Sequence, residues 1–261
     1  MAQTKIAIVT TTRNDESTIL STLASIHLQT FTDWQHVVKD AGSTDKTLRI
    51  LDTNGVKLSY LTGKDAGIYD ALNIAQQKVT AEWTIVVQSG DTFYNKTVLA
   101  EVAPYLTDDV DIVYGDIVNV HSTGVREVKH THPVNELWKG MIGSHQGMFI
   151  RTSLLKKYPY NLTYKIAADY NFLWQCYTNG ARFKQIPVTI CLVDGAGLSS
   201  LKIVENLMQK QTIANIYDTN PFHSMHRMIR IGRVAFTKQL KKYMPQSLVK
   251  KVIEWRAGSE K

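Results

Sequence analysis

Asp40-Ala41-Gly42-Ser43-Thr44-Asp45 follows directly on the apolar run Val37-Val38, and its reading decides the fold. A second acidic step, Gln88-Ser89-Gly90-Asp91, closes another apolar run, and Asp65-Ala66-Gly67-Ile68-Tyr69-Asp70-Ala71-Leu72-Asn73 lies between the two. Each is a polar, carboxylate-bearing turn at the end of an expected strand. Open α/β sheets bind ligands outside the carboxyl ends of their strands. Three such turns on a common edge point to an α/β protein with a binding site there.

The periodicity around these turns supports that reading. Lys5–Thr10 (Ile6, Ala7, Ile8, Val9), Trp34–Lys39, Lys57–Leu61 and Trp83–Val87 read as strands. Between them, Ile19, Leu20, Leu23, Ile26 and His27 fall at helical spacing, Asp45–Asp52 reads as a short helix, and Ile68, Ala71, Leu72 and Ala75 mark a helix face. Strand and helix alternating in this way indicate a parallel sheet with right-handed crossovers. The pattern then becomes mixed. Asp111–Tyr114 and Asp116–Val120 flank Gly115, followed by strands at Val125–His130 and Gln146–Ile150. A helix over Ala167–Thr178 carries Tyr170, Leu173, Trp174 and Tyr177, and one or two strands follow in Phe183–Val193. We divide the chain into a nucleotide-binding half (1–95), an acceptor-side half (96–200) and a helical tail (201–261).

Charge separates the tail from the rest. Residues 1–200 carry 18 basic and 19 acidic side chains, whereas residues 201–261 carry 12 and 4. Met225, Met228, Ile229, Gly232, Phe236, Leu240 and Tyr243 form one helical stripe, with Arg227, Arg230, Arg233, Lys238, Lys241 and Lys242 mostly outside it. Pro245 ends that helix, and Leu248, Val249, Val252 and Ile253 form a second stripe. A cationic amphipathic helix fits an anionic membrane surface, while packing as a lid or dimer contact is the alternative. Nucleic acid is not the expected partner, and a homo-oligomer is compatible with the sequence.

Several classes lose ground. No apolar run approaches the ~20 residues of a membrane span. Met1 to Thr12 runs into a strand with no secretory pattern, so a cytoplasmic protein is expected. Cys176 and Cys191 are expected as buried free thiols. The first strand is followed by neither a dinucleotide fingerprint nor a phosphate-binding P-loop, and no nucleophile elbow or zincin motif occurs.

The candidate residues have competing readings. Asp91 on its Ser-Gly turn suits a divalent cation bridging a diphosphate, or merely ends the turn. Asp40 can accept a base N–H or ribose hydroxyl, or simply cap the following helix with Ser43 and Thr44. Asp65 belongs to a third such turn. Asp169 sits where a helix N-terminus favours its ionised form, as a general base requires, or is simply a helix N-terminal carboxylate with no chemistry. His145 is either a metal or diphosphate contact or a structural strand-start residue. Trp138 lines an acceptor channel or belongs to the core, and His130 and His132 are surface residues.

The ordered blocks Thr10-Thr11-Thr12-Arg13-Asn14, Asp40–Asp45, Asp65–Asn73, Ser89-Gly90-Asp91, His145-Gln146-Gly147-Met148-Phe149 and Ile166-Ala167-Ala168-Asp169-Tyr170-Asn171-Phe172 resemble glycosyltransferase family 2. The likeness spans about residues 4–195 and is greatest to the bacterial exopolysaccharide and lipopolysaccharide branch, including the colanic-acid type. It implies a GT-A fold and inverting hexosyl transfer from a UDP- or GDP-sugar. The implied acceptor is a lipid-linked or envelope polysaccharide at the inner face of the cell membrane. By matched position Thr11, Asp40 and Asp65 would face the nucleoside, with Ser89 and Gly90 beside the diphosphate. Asp91 would hold Mn2+ or Mg2+, and Asp169 would deprotonate the acceptor. Ser89 stands where the family's metal motif carries its first carboxylate, so the metal expectation rests on Asp91. A nucleotidyltransferase and a non-catalytic nucleotide-sugar or carbohydrate-binding module are the rival readings.

Overall fold

The computed structural model describes residues 4–54, 57–121, 124–194 and 202–241. β1 (Ile6–Thr12), α1 (Ile19–His27), β2 (Trp34–Asp40), α2 (Thr47–Thr53), β3 (Leu58–Thr62), α3 (Ile68–Gln76) and β4 (Trp83–Val86) alternate as the periodicity predicts. The four strands pair in parallel, in the order β3-β2-β1-β4. The chain winds outward from β1 to β3 and returns on the other side of β1 at β4. That reversal opens a crevice at the carboxyl ends of β1 and β4. Both faces of the sheet are covered at β1, which is why it reads as a continuous apolar run, whereas β3 at the edge has no fully buried residue. In β1, Ile6 and Ile8 join one buried cluster while Ala7 and Val9 join the other.

The second half adds β5 (Thr92–Phe93), α4 (Val98–Val102), β6 (Ile112–Val120), β7 (Arg126–Lys129), β8 (Met148–Arg151), α5 (Thr152–Lys157), α6 (Ala168–Thr178) and β9 (Phe183–Asp194). β8 joins β4 antiparallel, and the sheet continues through β6 and β9 to β5, with β7 paired to β6. Among the described residues this is one nine-stranded sheet. Two strands expected around Gly115 are a single β6, whose register against β9 shifts there. A Cβ at Gly115 would collide with the Val188 carbonyl, and one at Gly147 would lie 2.6 Å from the Gly115 carbonyl oxygen. The absence of a side chain at both positions lets β9 and the 3-10 turn His145–Gly147 close onto β6. That closure lowers Gln146 toward the loop carrying Asp91.

Helix phase differs from the sequence expectation at two points. Ile68, expected on the buried face of α3, is 38% exposed, and Tyr69 is buried in its place. Leu20 is likewise exposed on α1. Cys176 and Cys191 are both free and buried, as expected.

The described part of the tail comprises α7 (Ile203–Tyr217) and α8 (Pro221–Lys241). α7 is a core helix: Ile213 and Ala214 are fully buried, and the Tyr217 ring stacks on Trp174 at 5.7 Å. α8 packs through Arg227 and leaves Phe222, Met225, Met228, Ile229 and Phe236 each more than half exposed. It contains no acidic residue. The expected end at Pro245 and the second stripe, Leu248 to Ile253, lie outside the described residues, as do Lys242 and Tyr243.

Candidate active site

The three turns quoted at the outset converge on one cleft of about 890 Å³. Its walls include Thr11, Thr12 and Arg13 at the end of β1, Ala41 after β2, Asp65 to Asp70 around the start of α3, and Ser89 and Asp91 after β4. His145 and Gln146 close it from the β8 side, with Ile166, Asp194 and Lys202 along the rim. Backbone hydrogen bonds stitch the turns together. Ala41 N–H donates to the Thr12 carbonyl at 3.0 Å, and Ser89 N–H to the Thr11 carbonyl at 3.3 Å.

Asp40 is fully buried, beneath the cleft rather than on its wall. Its carboxylate accepts from Gly42 N–H at 2.8 Å, Ser43 N–H at 2.9 Å, the Thr62 hydroxyl at 2.8 Å and the Ser43 hydroxyl. Burial raises its pKa, but these donors outweigh that and hold it below the ordinary carboxylate value. The residue shapes the turn and ties it to β3. Ala41 forms the wall at this point.

Asp65 does reach the wall, and it is fixed by a partner that sequence reading did not pick out. Lys39 Nζ lies 3.2 Å from Asp65 Oδ2, both side chains being under 10% exposed. The ammonium also donates to the carbonyls of Asp40 at 2.7 Å and Gly63 at 2.6 Å. A lysine in a strand covered on both faces requires such acceptors, so its position in Val37-Val38-Lys39-Asp40 was the available signal.

Asp91 is 4% exposed. Oδ1 accepts from Asp194 N–H at 3.1 Å and Oδ2 from the Gln146 amide at 3.2 Å. Burial pushes its pKa up to about 6, against the pull of these two donors and of His145. Gly90, at φ +95°, aims the preceding turn and donates its N–H to the Thr22 hydroxyl at 3.0 Å. The short β5 pairs with β9 and so brings Asp91 beside Asp194.

Asp169 starts α6 just behind the wall formed by Tyr69, His145 and Ile166. The Tyr69 hydroxyl is 3.1 Å from Oδ1 and 2.8 Å from the Ile166 carbonyl, and Tyr170 N–H donates to Oδ1 at 2.8 Å. His145 Nδ1 is 3.5 Å from Oδ2. Burial raises this carboxyl's pKa, but His145, the charge of Lys210 and the Tyr170 N–H together hold it below the ordinary value. The group is therefore ionised at neutral pH.

Three buried polar atoms on the cleft wall have no partner: Gln88 Nε2, Ser89 Oγ and His145 Nε2. Gln88 spends its carbonyl oxygen on Thr11, accepting from both its hydroxyl and its N–H. Buried polar atoms are nearly always paired, and these three belong to residues that line the cleft. The donor set also bears on a metal. Among the described residues no group of three or more His, Cys, Asp or Glu side chains could enclose an ion. A buried carboxylate beside an orphaned hydroxyl and an orphaned imidazole nitrogen fits a cation shared with a phosphate-bearing ligand.

Trp138 does not line this cleft; it packs against the core, the second of its two expected readings. Its ring stacks on His223 at 3.8 Å and its carbonyl accepts from Arg227, so it seats α8. His130 and His132 are exposed, as expected.

Residues 7–171 match the model for glycosyl transferase family 2. The chain belongs to this family. A PGL/p-HBAD biosynthesis glycosyltransferase of Mycobacterium bovis is 34% identical over 188 residues, covering 69% of this chain and 73% of that protein. Staphylococcus aureus TarS in complex with UDP-GlcNAc superposes with a TM-score of 0.65 at 21% identity, over 84% of this chain and 69% of that one. A mannosyltransferase of Pyrobaculum calidifontis, solved with GDP-Man and Mn2+, gives 0.67 at 18% identity, over 88% and 70%. The fold is the GT-A fold that the sequence implied, and the protein is a glycosyltransferase.

Proposed function

We propose that this glycosyltransferase moves a hexose, with inversion, from a UDP- or GDP-sugar to a lipid-linked or envelope polysaccharide acceptor. The observation that carries the reading is a cleft of about 890 Å³ whose wall brings Thr11, Asp65, Ser89, Asp91 and His145 together at the carboxyl ends of the parallel strands. A cleft of that size suits a ligand as large as a nucleotide-sugar. In this reading Thr11 and Asp65 contact the nucleoside, and Asp40 holds the shape of the turn bearing Ala41. Ser89 and Gly90 lie along the diphosphate. A divalent cation, Mn2+ or Mg2+, would be held by Asp91 together with diphosphate oxygens and would neutralise the leaving group.

The reaction is a single displacement. The bond between the anomeric carbon and the phosphate oxygen breaks, and its electron pair leaves with the diphosphate. The acceptor oxygen attacks from the opposite face and gives its proton to the Asp169 carboxylate. Inversion follows from the geometry of one displacement. Ionised Asp169, held by Tyr69 and by the Tyr170 N–H, supports this role.

The acceptor-side assignment also draws on α8. Its exposed stripe of Phe222, Met225, Ile229 and Phe236 runs beside Arg230 and Arg233, with no acidic residue in the helix. Such a face suits the anionic inner surface of a membrane carrying a lipid-linked acceptor. No helix among the described residues is long and apolar enough to cross that membrane. Because α7 is already part of the core, the surface-seeking part of the tail begins at α8.

A thermal-shift panel of UDP- and GDP-sugars, each with and without Mn2+, tests the donor reading. One nucleotide series should stabilise the protein in a metal-dependent way, tracking ligand concentration over its dissociation constant. Equal, metal-independent shifts with free sugars would instead favour a carbohydrate-binding module.

A further inference from the structure

A second, smaller cavity of about 110 Å³ lies between α6, α7, α8 and the segment 139–141. On the same scale a single water takes only ~10–15 Å³, so a group of several heavy atoms fits. Four cations line it: Lys139, Lys210, Arg227 and Arg230. Two of them are already neutralised. Lys139 pairs with Glu136 at 2.8 Å and Arg227 with Asp218 at 2.7 Å.

The other two are not. Among the described residues neither Lys210 nor Arg230 has a carboxylate within ion-pair distance. Arg230 donates only to the Lys139 carbonyl, at 2.8 Å. Lys210 has its ammonium 5.9 Å from the Tyr170 ring centroid. Burial disfavours the charged form of Lys210 most and Arg230 adds to this, while the Asp169 carboxylate works in the opposite direction. Gly140 leaves the guanidinium its space, since a Cβ there would lie 3.2 Å from Arg230 Nη1. Two cations with no carboxylate in contact suit an anion in the cavity between them, and a phosphate or diphosphate presents the oxygens both can share.

The position of the cavity narrows the choice. Tyr170, on its wall, follows Asp169 directly, and Lys210 acts electrostatically on Asp169. On its other side Arg230 belongs to α8, whose apolar stripe is exposed. Asp169 thus lies next to one wall of the cavity, and α8, whose opposite face carries the exposed apolar stripe, forms another. We propose that this cavity binds the diphosphate of a lipid-linked saccharide acceptor, with Lys210 and Arg230 as its charged ligands. The inference rests on the acceptor reading given under Proposed function.

The test begins with inorganic pyrophosphate titrated calorimetrically into the full chain in metal-free buffer. Wild type should bind, and Lys210→Gln/Arg230→Gln should weaken binding by about tenfold or more, whereas Arg13→Gln on the donor cleft should not. Arg230→Gln alone, at an exposed position, should move in the same direction should the double variant not fold. No binding, or a loss that follows Arg13→Gln instead, overturns the proposal. Neutral phosphatidylcholine vesicles doped with an isoprenyl diphosphate, compared with phosphatidylglycerol vesicles of equal surface charge, separate the sources. A preference for the isoprenyl diphosphate that the double variant loses supports the lipid-linked acceptor. Pyrophosphate binding without that preference assigns the cavity to a free anion and overturns it. Donor-sugar hydrolysis by wild type without acceptor reads the donor cleft independently. Hydrolysis without pyrophosphate binding removes this inference alone. Anion binding with no donor turnover overturns the transfer reading and the acceptor assignment with it.

Discussion

The Tyr69 hydroxyl lies 3.1 Å from Asp169 Oδ1, joining the first turn of α3 to the first turn of α6 across a hundred residues of sequence. The same hydroxyl reaches the Ile166 carbonyl at 2.8 Å, so one phenolic proton serves two acceptors. This contact fixes the carboxylate at the start of α6 to α3. Tyr69→Phe should lower kcat by about tenfold while leaving the donor KM near its original value. Steady-state kinetics in both substrates check it, and a pure donor KM effect would contradict the positioning role.

Asp169→Asn removes the proton acceptor and keeps the side-chain shape. Transfer should fall by roughly 10²–10⁴-fold, with donor binding retained in thermal-shift titration. Equal loss of donor affinity would make Asp169 a structural residue.

Asp91 places a stability cost at the site. Its folded pKa of about 6 exceeds the ordinary value of 3.8, so between these the native state holds more protons than the unfolded one. Its contribution to stability is full below the lower value and is lost as pH rises through about 6. In metal-free buffer at pH 7.5, Asp91→Asn should therefore raise the melting temperature, relieving on the order of 3 kcal/mol. Below pH 4 the variant should show no such gain. Melts across that pH range decide it, and a destabilised variant at pH 7.5 would contradict the account. Mn2+-dependent donor binding should weaken about tenfold per pH unit below about 6, because a proton then competes for the carboxylate.

Lys39 and Asp65 form a buried pair whose separation should be costly. Lys39→Met leaves the Asp65 carboxylate buried without its counter-charge, and should cost about 3–5 kcal/mol in urea unfolding. Lys39→Met/Asp65→Asn should recover part of that loss. A single variant within about 1 kcal/mol of wild type would show that the pair is not coupled.

The parallel core was legible because strands covered on both faces read as unbroken apolar runs, as in Ile6 to Val9 and Ile85 to Val87. The turns carrying Asp65, Ser89 and Asp91 were legible for the same reason: each interrupts such a run with polar residues. Helix phase in α3 was not. Over nine residues the apolar count cannot separate Ile68 inward from Tyr69 inward, and the cleft takes the exposed Ile68. The joining of β6 across Gly115 depends on the approach of β9, a contact between distant segments. Asp40 is similar: its turn was visible, but only Thr62 on β3 reveals that its carboxylate is already occupied. The tail was half legible. Charge and stripe identified α8, whereas nothing in the charge count sets α7 inside the core beside Trp174.

The central claim is that the cleft turns over a nucleotide-sugar through Asp91 and a divalent cation. Nucleoside diphosphate release from UDP- and GDP-sugars by wild type and Asp91→Asn, with Mn2+ and with chelator, measures it most directly. The account predicts release from at least one donor by wild type with Mn2+, and its loss both with chelator and in Asp91→Asn. Release that is unchanged by chelator and by the substitution would contradict it.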